Sequence, residues 1–264
     1  MCSCSLARCK NLCPLSTRRS LSCAGLMLLI VAGPTALAGT TTFDNGTEGW
    51  GVFFANENGL GDFVQPNGGN PGAHLQWVMI ETFGATLRNE TNPDTIGDYS
   101  RFGAPVTLGV DIKVGSITFF GAEVERDIVV ELVDYNPPGS DYPYVSVWYD
   151  LGEISLARTS DWTRFEITVD PSATALPPGW GGTGADHPTT YEPVLPPDRT
   201  FASVLASVDE VRFTTFKPGY FYGFTNFDLH FDNVTVTPVP EPASLAILGA
   251  CGGTAMLRPR RRRH

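Results

Sequence analysis

Between Thr40 and Val236 apolar and polar residues alternate in short runs with a period of two. Val106, Leu108, Val110, Ile112 and Val114 are interleaved with Thr107, Gly109, Asp111 and Lys113, the pattern of a strand with one buried face. The same alternation returns at Ile128, Val130 and Leu132, at Val145, Val147, Tyr149 and Leu151, and at Phe165, Ile167 and Val169. It returns again at Val211 and Phe213 and at Phe227, Leu229 and Phe231, while Trp50, Val52 and Phe54 and the segment His74–Ile80 add two more candidates. Short strands separated by Gly, Pro, Asn and Asp predict an all-β domain, a two-sheet antiparallel β-sandwich of jelly-roll type. Only Thr200–Asp209 has helical spacing, with Phe201, Val204, Leu205 and Val208 on one side.

Two features interrupt this regularity. The last strand buries odd positions up to Phe231 and even positions from Val234, so a β-bulge is expected at Asp232-Asn233, where it re-aims a side chain. Residues 135–144 and 176–199 are rich in Pro and Gly and carry no periodicity. Loops as long as the second are usually functional or disordered.

The two ends differ in character from the middle. Arg18 and Arg19, the apolar run Leu21–Ala32 and the small-x-small triplet Ala36-Leu37-Ala38 before Gly39 read as a secretory signal peptide. The other end carries Pro240-Glu241-Pro242, the apolar run Ala243–Leu257, and a basic cluster of Arg258, Arg260, Arg261, Arg262 and Arg263. Cations beside a short apolar helix hold that end in the cytoplasm. The division is residues 1–38 as signal helix, 39–237 as sandwich, and 238–264 as a C-terminal hydrophobic helix with its flanks.

Composition narrows the chemistry. All six cysteines (Cys2, Cys4, Cys9, Cys13, Cys23 and Cys251) lie near the ends, so the central region holds no disulfide, thiolate metal site or cysteine nucleophile. The stretch between the two arginine-rich ends carries nine Lys+Arg against 28 Asp+Glu, a formal charge of about −19. A field of that sign repels nucleic acid and anionic headgroups and favours cations and neutral ligands such as sugars. No G-x-S-x-G, H-E-x-x-H, P-loop or G-x-G-x-x-G occurs in the chain.

Two constellations remain. Aromatic residues concentrate in the irregular parts: Trp180 and Tyr191 in one loop, Tyr142 and Tyr144 in the other, and Tyr220, Phe221, Tyr222 and Phe224 after Pro218-Gly219. Flat aromatic bodies with polar tips suit the apolar faces of sugar rings, and Trp180 and Tyr191 are the candidate ligand contacts. Trp50, Trp77, Trp148 and Trp162 fall within strand patterns and are expected in the core. Glu123, Glu125 and Asp127 fall on one face if they continue a strand, at a spacing a glycoside hydrolase could use, but they follow Gly121 at a turn, where solvated charges are ordinary. His230 is expected on the solvated side of the last strand.

Two resemblances extend this reading. The ordered C-terminal features resemble the PEP-CTERM sorting signal of Gram-negative bacteria. That resemblance implies recognition by the membrane protease-transpeptidase exosortase, transient inner-membrane anchoring, and release or display in the cell envelope or an exopolysaccharide matrix. The opening FDNGTEGW at Phe43–Trp50 and the closing FDNVTV at Phe231–Val236 are similar to brackets of jelly-roll carbohydrate-binding modules and galactose-binding-like domains. Phe201–Phe213 also resembles laminin-B-type domains. The first resemblance of the sandwich implies a structural calcium ion held by Asp44 and Asp232, with Glu48 a looser ligand. The expected function is a non-catalytic module binding glycan. A structural or adhesive matrix protein that binds another protein is the alternative, and a glycoside hydrolase the third reading.

Overall fold

The computed structural model describes residues 39–52, 63–136 and 142–239. In chain order the strands are β1 (Gly39–Thr41), β2 (Trp50–Val52), β3 (Phe63–Gly69), β4 (Gly72–Thr82), β5 (Thr86–Asn89), β6 (Val106–Phe119), β7 (Ala122–Glu123) and β8 (Arg126–Asp134). They continue as β9 (Val145–Ile154), β10 (Thr163–Val169), β11 (Trp180–Thr183), β12 (Ala185–Asp186), β13 (Pro193–Val194), β14 (Glu210–Thr214) and β15 (Thr225–Pro238). Two short helices, α1 (Leu156–Thr159) and α2 (Phe201–Leu205), lie between them.

The strands form two antiparallel sheets. The first runs β10-β6-β15-β4-β3, with β1 paired to the far end of β15 and β7 to β6; the second runs β11-β9-β8-β14-β5-β2. The alternation read from the sequence is what turns these sheets face to face. Leu108, Val110 and Ile112 of β6, Leu75 and Trp77 of β4, and Phe227, Leu229 and Phe231 of β15 point inward from the first sheet. Ile128, Val130 and Leu132 of β8, Val147 of β9, and Val211 and Phe213 of β14 meet them from the second. Burying each such side chain is worth about 1.5–3 kcal/mol, and the sum over both faces holds the sandwich without covalent staples.

The helical segment forms as expected. The Thr200 hydroxyl accepts from the Ser203 amide while Ser203 caps Thr200 in return, a closed capping box that starts α2. Phe201, Val204 and Leu205 then plug the sandwich. The bulge is also present: the β15–β6 register shifts between Asp232 and Thr235, and Asn233 adopts φ +48°. Side-chain phase reverses there, which is why Val234 and Val236 are buried although Phe231 is too.

One sequence expectation is corrected. Residues 176–199 are not a structureless loop, for β11 adds an edge strand to the second sheet and β12 and β13 pair as a small hairpin. The apolar period is missing because β11 uses glycine where the strand must be thin. A Cβ on Gly181 would meet the Trp148 ring at 2.3 Å, so the indole lies flat over the β11 backbone.

The sandwich has two distinct poles. Gly39 opposes Val236, and the Val239 amide donates to the Pro105 carbonyl at 2.7 Å, so both described ends leave from one pole. At the other, Thr225 opposes Thr82 and Asn226 opposes Thr118, which gathers the turns after β4, β6 and β14. Among the described residues no helix is long and apolar enough to cross a membrane. Gly39 opens β1, whereas Ala36 and Ala38, the Pro240-Glu241-Pro242 triplet and the arginine cluster Arg258 and Arg260–Arg263 lie outside the described residues.

Candidate functional site

Alternation that buries one face of the second sheet leaves a polar row on the other. Antiparallel register places Arg88 of β5 opposite Arg212 of β14, Arg212 opposite Glu131 of β8, Glu131 opposite Trp148 of β9, and Trp148 opposite Gly181 of β11. Directly opposed side chains on one face lie about 5 Å apart at Cβ, so five strands distant in sequence deliver one continuous floor. Segments at the strand ends supply the walls. Tyr144 stands before β9, Pro193 belongs to the β12–β13 hairpin, and Phe216–Tyr220 follow β14. Together with Thr86, Thr183 and Thr214 they enclose a groove of about 470 Å³.

The floor is a closed network of charge. Arg212 Nε donates to Glu210 Oε1 at 2.6 Å and a terminal nitrogen donates to Oε2 at 3.0 Å, a bidentate pair. Its other terminal nitrogen reaches Glu131 Oε2 at 3.4 Å, and the Ser146 hydroxyl donates to Glu131 Oε1 at 2.6 Å. The Tyr135 hydroxyl donates to Glu210, Arg88 lies 3.9 Å from the same carboxylate, and the Arg212 guanidinium sits 5.1 Å from the Tyr144 ring centre. Burial raises the Glu131 carboxyl above its ordinary range, with the Arg212 charge pulling against it. Burial alone would lower Arg212, but its bonds to Glu210 and the Glu131 charge hold it above the usual value. Tyr135 is pushed up to about 12, first by burial and then by its bond to Glu210.

Along the rim, Lys217 is pinned by Asp150 at 2.5 Å and Asp127 at 3.2 Å, and Tyr220 covers it at 5.0 Å. The cations of the groove are thus already matched by carboxylates, which leaves little to attract an anion. What the groove offers is fixed hydrogen-bonding edges between aromatic walls: Tyr144 half-buried, Phe216 and Tyr220 open to solvent. That suits an uncharged ligand with hydroxyls and apolar faces. Glu210 has no exposed surface, and both its oxygens are taken by Arg212, Arg88 and Tyr135, so it has no carboxyl edge to offer a reacting bond.

The candidate residues read from the sequence are distributed differently. Trp180 is 8% exposed, wedged between Tyr149 (5.6 Å) and Phe201 (5.0 Å). It belongs to the core, because its neighbours in β11 are glycines and its own side of the strand faces inward. Tyr191 is 77% exposed at the tip of the β12–β13 hairpin, outside the groove lining. Glu123, Glu125 and Asp127 do not share a strand face. The chain breaks between β7 and β8, Glu125 pairs with Arg158 at 3.0 Å, and Asp127 with Lys217. Trp162 is only half-buried; its indole donates to the Gly68 carbonyl. His230 is not a plain surface residue: its Nδ1 lies 2.9 Å from Nε2 of buried His74, and Trp162 stands edge-on to His74.

Asp44 and Asp232 meet at the tight turn joining β3 and β4. Asp44 Oδ1 accepts from the Ala73 amide at 2.9 Å and Oδ2 from the Thr42 hydroxyl at 3.1 Å. The buried Asp232 accepts from the Asn70 amide at 2.5 Å and the Asn233 amide at 2.7 Å. A Cβ on Gly72 would strike Asp44 at 2.6 Å and one on Gly69 would strike Asp232 at 2.7 Å, so the turn lies directly on the two acids. Burial raises the Asp232 carboxyl, opposed by its two amide donors, with Asp111 and Asp44 pushing it further up. Calcium takes six to eight oxygens. Each of the four carboxylate oxygens already accepts a hydrogen bond, two of them from the turn amides of Asn70 and Ala73. Glu48 accepts from Thr41, and among the described residues no group of three His, Cys, Asp or Glu is placed for a metal. The residues present form a hydrogen-bonded clasp.

The groove residues that sequence reasoning missed are Glu131 and Arg212. Each is a charge between apolar neighbours in a strand (VVELV and VRF), which is the signal that could have found them. Their partnership is set by register between strands some 80 residues apart (|i−j| 81).

No family model and no curated protein matches the chain. Among solved structures, an exo-β-agarase aligns over 78% of this chain and 26% of its own, at 12% identity and a TM-score of 0.44. The C-terminal family 22 carbohydrate-binding module of Clostridium thermocellum Xyn10B aligns over 78% of this chain and 96% of its own, at 9% identity and 0.42. The xylan-binding domain CBM22-2 of Paenibacillus barcinonensis Xyn10C aligns over 76% and 99%, at 10% and 0.42. This chain therefore spans about a quarter of the agarase and nearly the whole of each module. At such identities and scores no residue's role transfers to this chain.

Proposed function

We propose that this chain is an exported, non-catalytic protein that binds neutral glycan in the groove on the outer face of its second sheet. One observation carries the reading: a 470 Å³ groove whose charges are internally matched and whose walls are Tyr144, Phe216 and Tyr220. A strongly acidic domain repels anionic polymers, while a pre-formed set of hydrogen-bonding groups between aromatic faces favours sugar hydroxyls and ring C–H surfaces at once. The signal-peptide pattern and the Pro-Glu-Pro, apolar, arginine order of the tail support export and exosortase sorting toward the envelope or its polysaccharide matrix.

Affinity electrophoresis of residues 39–239 through gels containing xylan, β-glucan, galactomannan or agarose tests the binding. Retardation in at least one gel is expected, relieved by Tyr144→Ala and Tyr220→Ala in variants that keep the wild-type circular dichroism. Equal mobility of wild type and both variants in every gel overturns the reading.

A further inference from the structure

The pole opposite the chain ends carries a concentration of exposed aromatic side chains that the groove does not use. Phe221 is 79% exposed, Phe224 55%, Phe120 92% and Phe83 38%. They come from three turns, after β4, β6 and β14, and they are assembled rather than scattered. Phe83 lies 4.2 Å from Phe224 and 5.1 Å from Phe221, ring centre to ring centre. Monomeric domains seldom expose contiguous apolar surface of this kind without a partner.

This patch is continuous with the groove. Phe216, a groove wall, packs so closely on the backbone beside Phe83 that a Cβ on Gly84 would meet its ring at 2.9 Å. Tyr220, on the groove rim, is followed directly by Phe221. From the groove outward the surface therefore passes from hydrogen-bonding groups to apolar rings, with the rim cation Lys217 held by Asp127 and Asp150. Its place in the fold also selects among partners. The C-terminal segment leaves beside Pro105 at the other end of β15, roughly 40 Å away along a strand of that length. The acidity of the domain disfavours an anionic lipid surface.

We infer that the aromatic pole is a second contact zone for the same ligand: an extended neutral polysaccharide that fills the groove and runs on over Phe83, Phe221 and Phe224. The inference rests on the groove reading and adds a length requirement to it. Hydrogen bonds in the groove hold a few residues of the polymer, and the phenylalanine rings hold the next sugars through their apolar faces. Short oligosaccharides engage only the groove.

The test compares wild type, a groove variant (Tyr144→Ala) and a pole variant (Phe221→Ala/Phe224→Ala) against whichever gel polysaccharide retards the wild type and against a disaccharide and hexasaccharide from it. The pole variant is expected to lose about tenfold in affinity for polymer and hexasaccharide and nothing for the disaccharide. Those two side chains are exposed, so folding is retained and is checked by the unfolding midpoint. A pole variant that binds polymer like wild type, while Tyr144→Ala does not, overturns the inference alone. No loss in either variant, or no retardation in any gel, overturns the groove reading and this one together.

Discussion

Arg212 faces Glu131 across the β8–β14 ladder, with 3.4 Å between a guanidinium nitrogen and Oε2, while the same guanidinium grips Glu210 two residues back along its own strand. That cation is the shared partner of two carboxylates that are 4% and 0% exposed. Removing it leaves Glu131 without its cation and Glu210 with only the more distant Arg88, at 3.9 Å. Arg212→Ala is expected to cost about 3–5 kcal/mol, and Glu131→Gln, which keeps a hydrogen-bonding group beside Ser146, markedly less. Urea unfolding followed by circular dichroism measures both; equal midpoints for Arg212→Ala and wild type contradict the network.

Gly181 and Trp148 make a second sharp prediction. With the indole lying on the glycine, a methyl group there must push the ring away. Gly181→Ala is expected to destabilise by about 1–3 kcal/mol through overpacking and to shift tryptophan emission to the red as the indole is displaced. Unchanged emission and midpoint would show that the ring does not sit where the register places it.

The His74–His230 pair predicts a pH dependence. Burial lowers both imidazoles below 6.5; the His230 charge and Lys113 lower His74 further, and Lys113 opposes the Asp228 charge at His230. The unfolded chain therefore binds more protons than the folded one just below pH 6.5, and stability falls as pH drops through that window. Asp228 and Gln76 face the pair from β15 and β4, Lys113 from β6 and Trp162 from the turn before β10. Asp232 and Glu131, whose carboxyls are raised by burial, act with the opposite sign. The measurement is the difference in urea midpoint between pH 7.5 and pH 5, which His230→Gln is expected to reduce.

The clasp predicts indifference to calcium. Since every oxygen of Asp44 and Asp232 already accepts a hydrogen bond, adding calcium or a chelator is expected to leave the melting temperature of residues 39–239 unchanged. Asp232→Ala leaves the Asn70 and Asn233 amides without their acceptor and is expected to cost about 1–3 kcal/mol for each donor left buried. A rise in melting temperature with calcium that Asp232→Ala abolishes would restore the metal.

Strands β2, β4, β6, β8, β9, β10, β14 and β15, the bulge at Asp232-Asn233 and the α2 turn could be read from residues close together in the chain, because side-chain period and phase are local properties of a backbone that alternates its faces; β3 and β5 were not read. β11 escaped because its glycines erase the period, and their reason, the indole of Trp148, sits on another strand. Trp180 and Tyr191 were drawn to the ligand by their residue type, yet burial and position are not carried by type. The two acids that bracket the domain were brought together as expected, but at a backbone turn whose amides occupy them.

What the sequence determined by itself was therefore which residues alternate and so which faces must close on one another, together with the acidic, cysteine-free character of everything between the two ends. The tertiary structure alone decided that Arg88, Arg212, Glu131 and Trp148 form one floor, and that Tyr144, Phe216 and Tyr220 stand around it. Register across a sheet depends on how distant strands bury their apolar faces jointly, and no stretch of the chain contains that information until the whole core has packed.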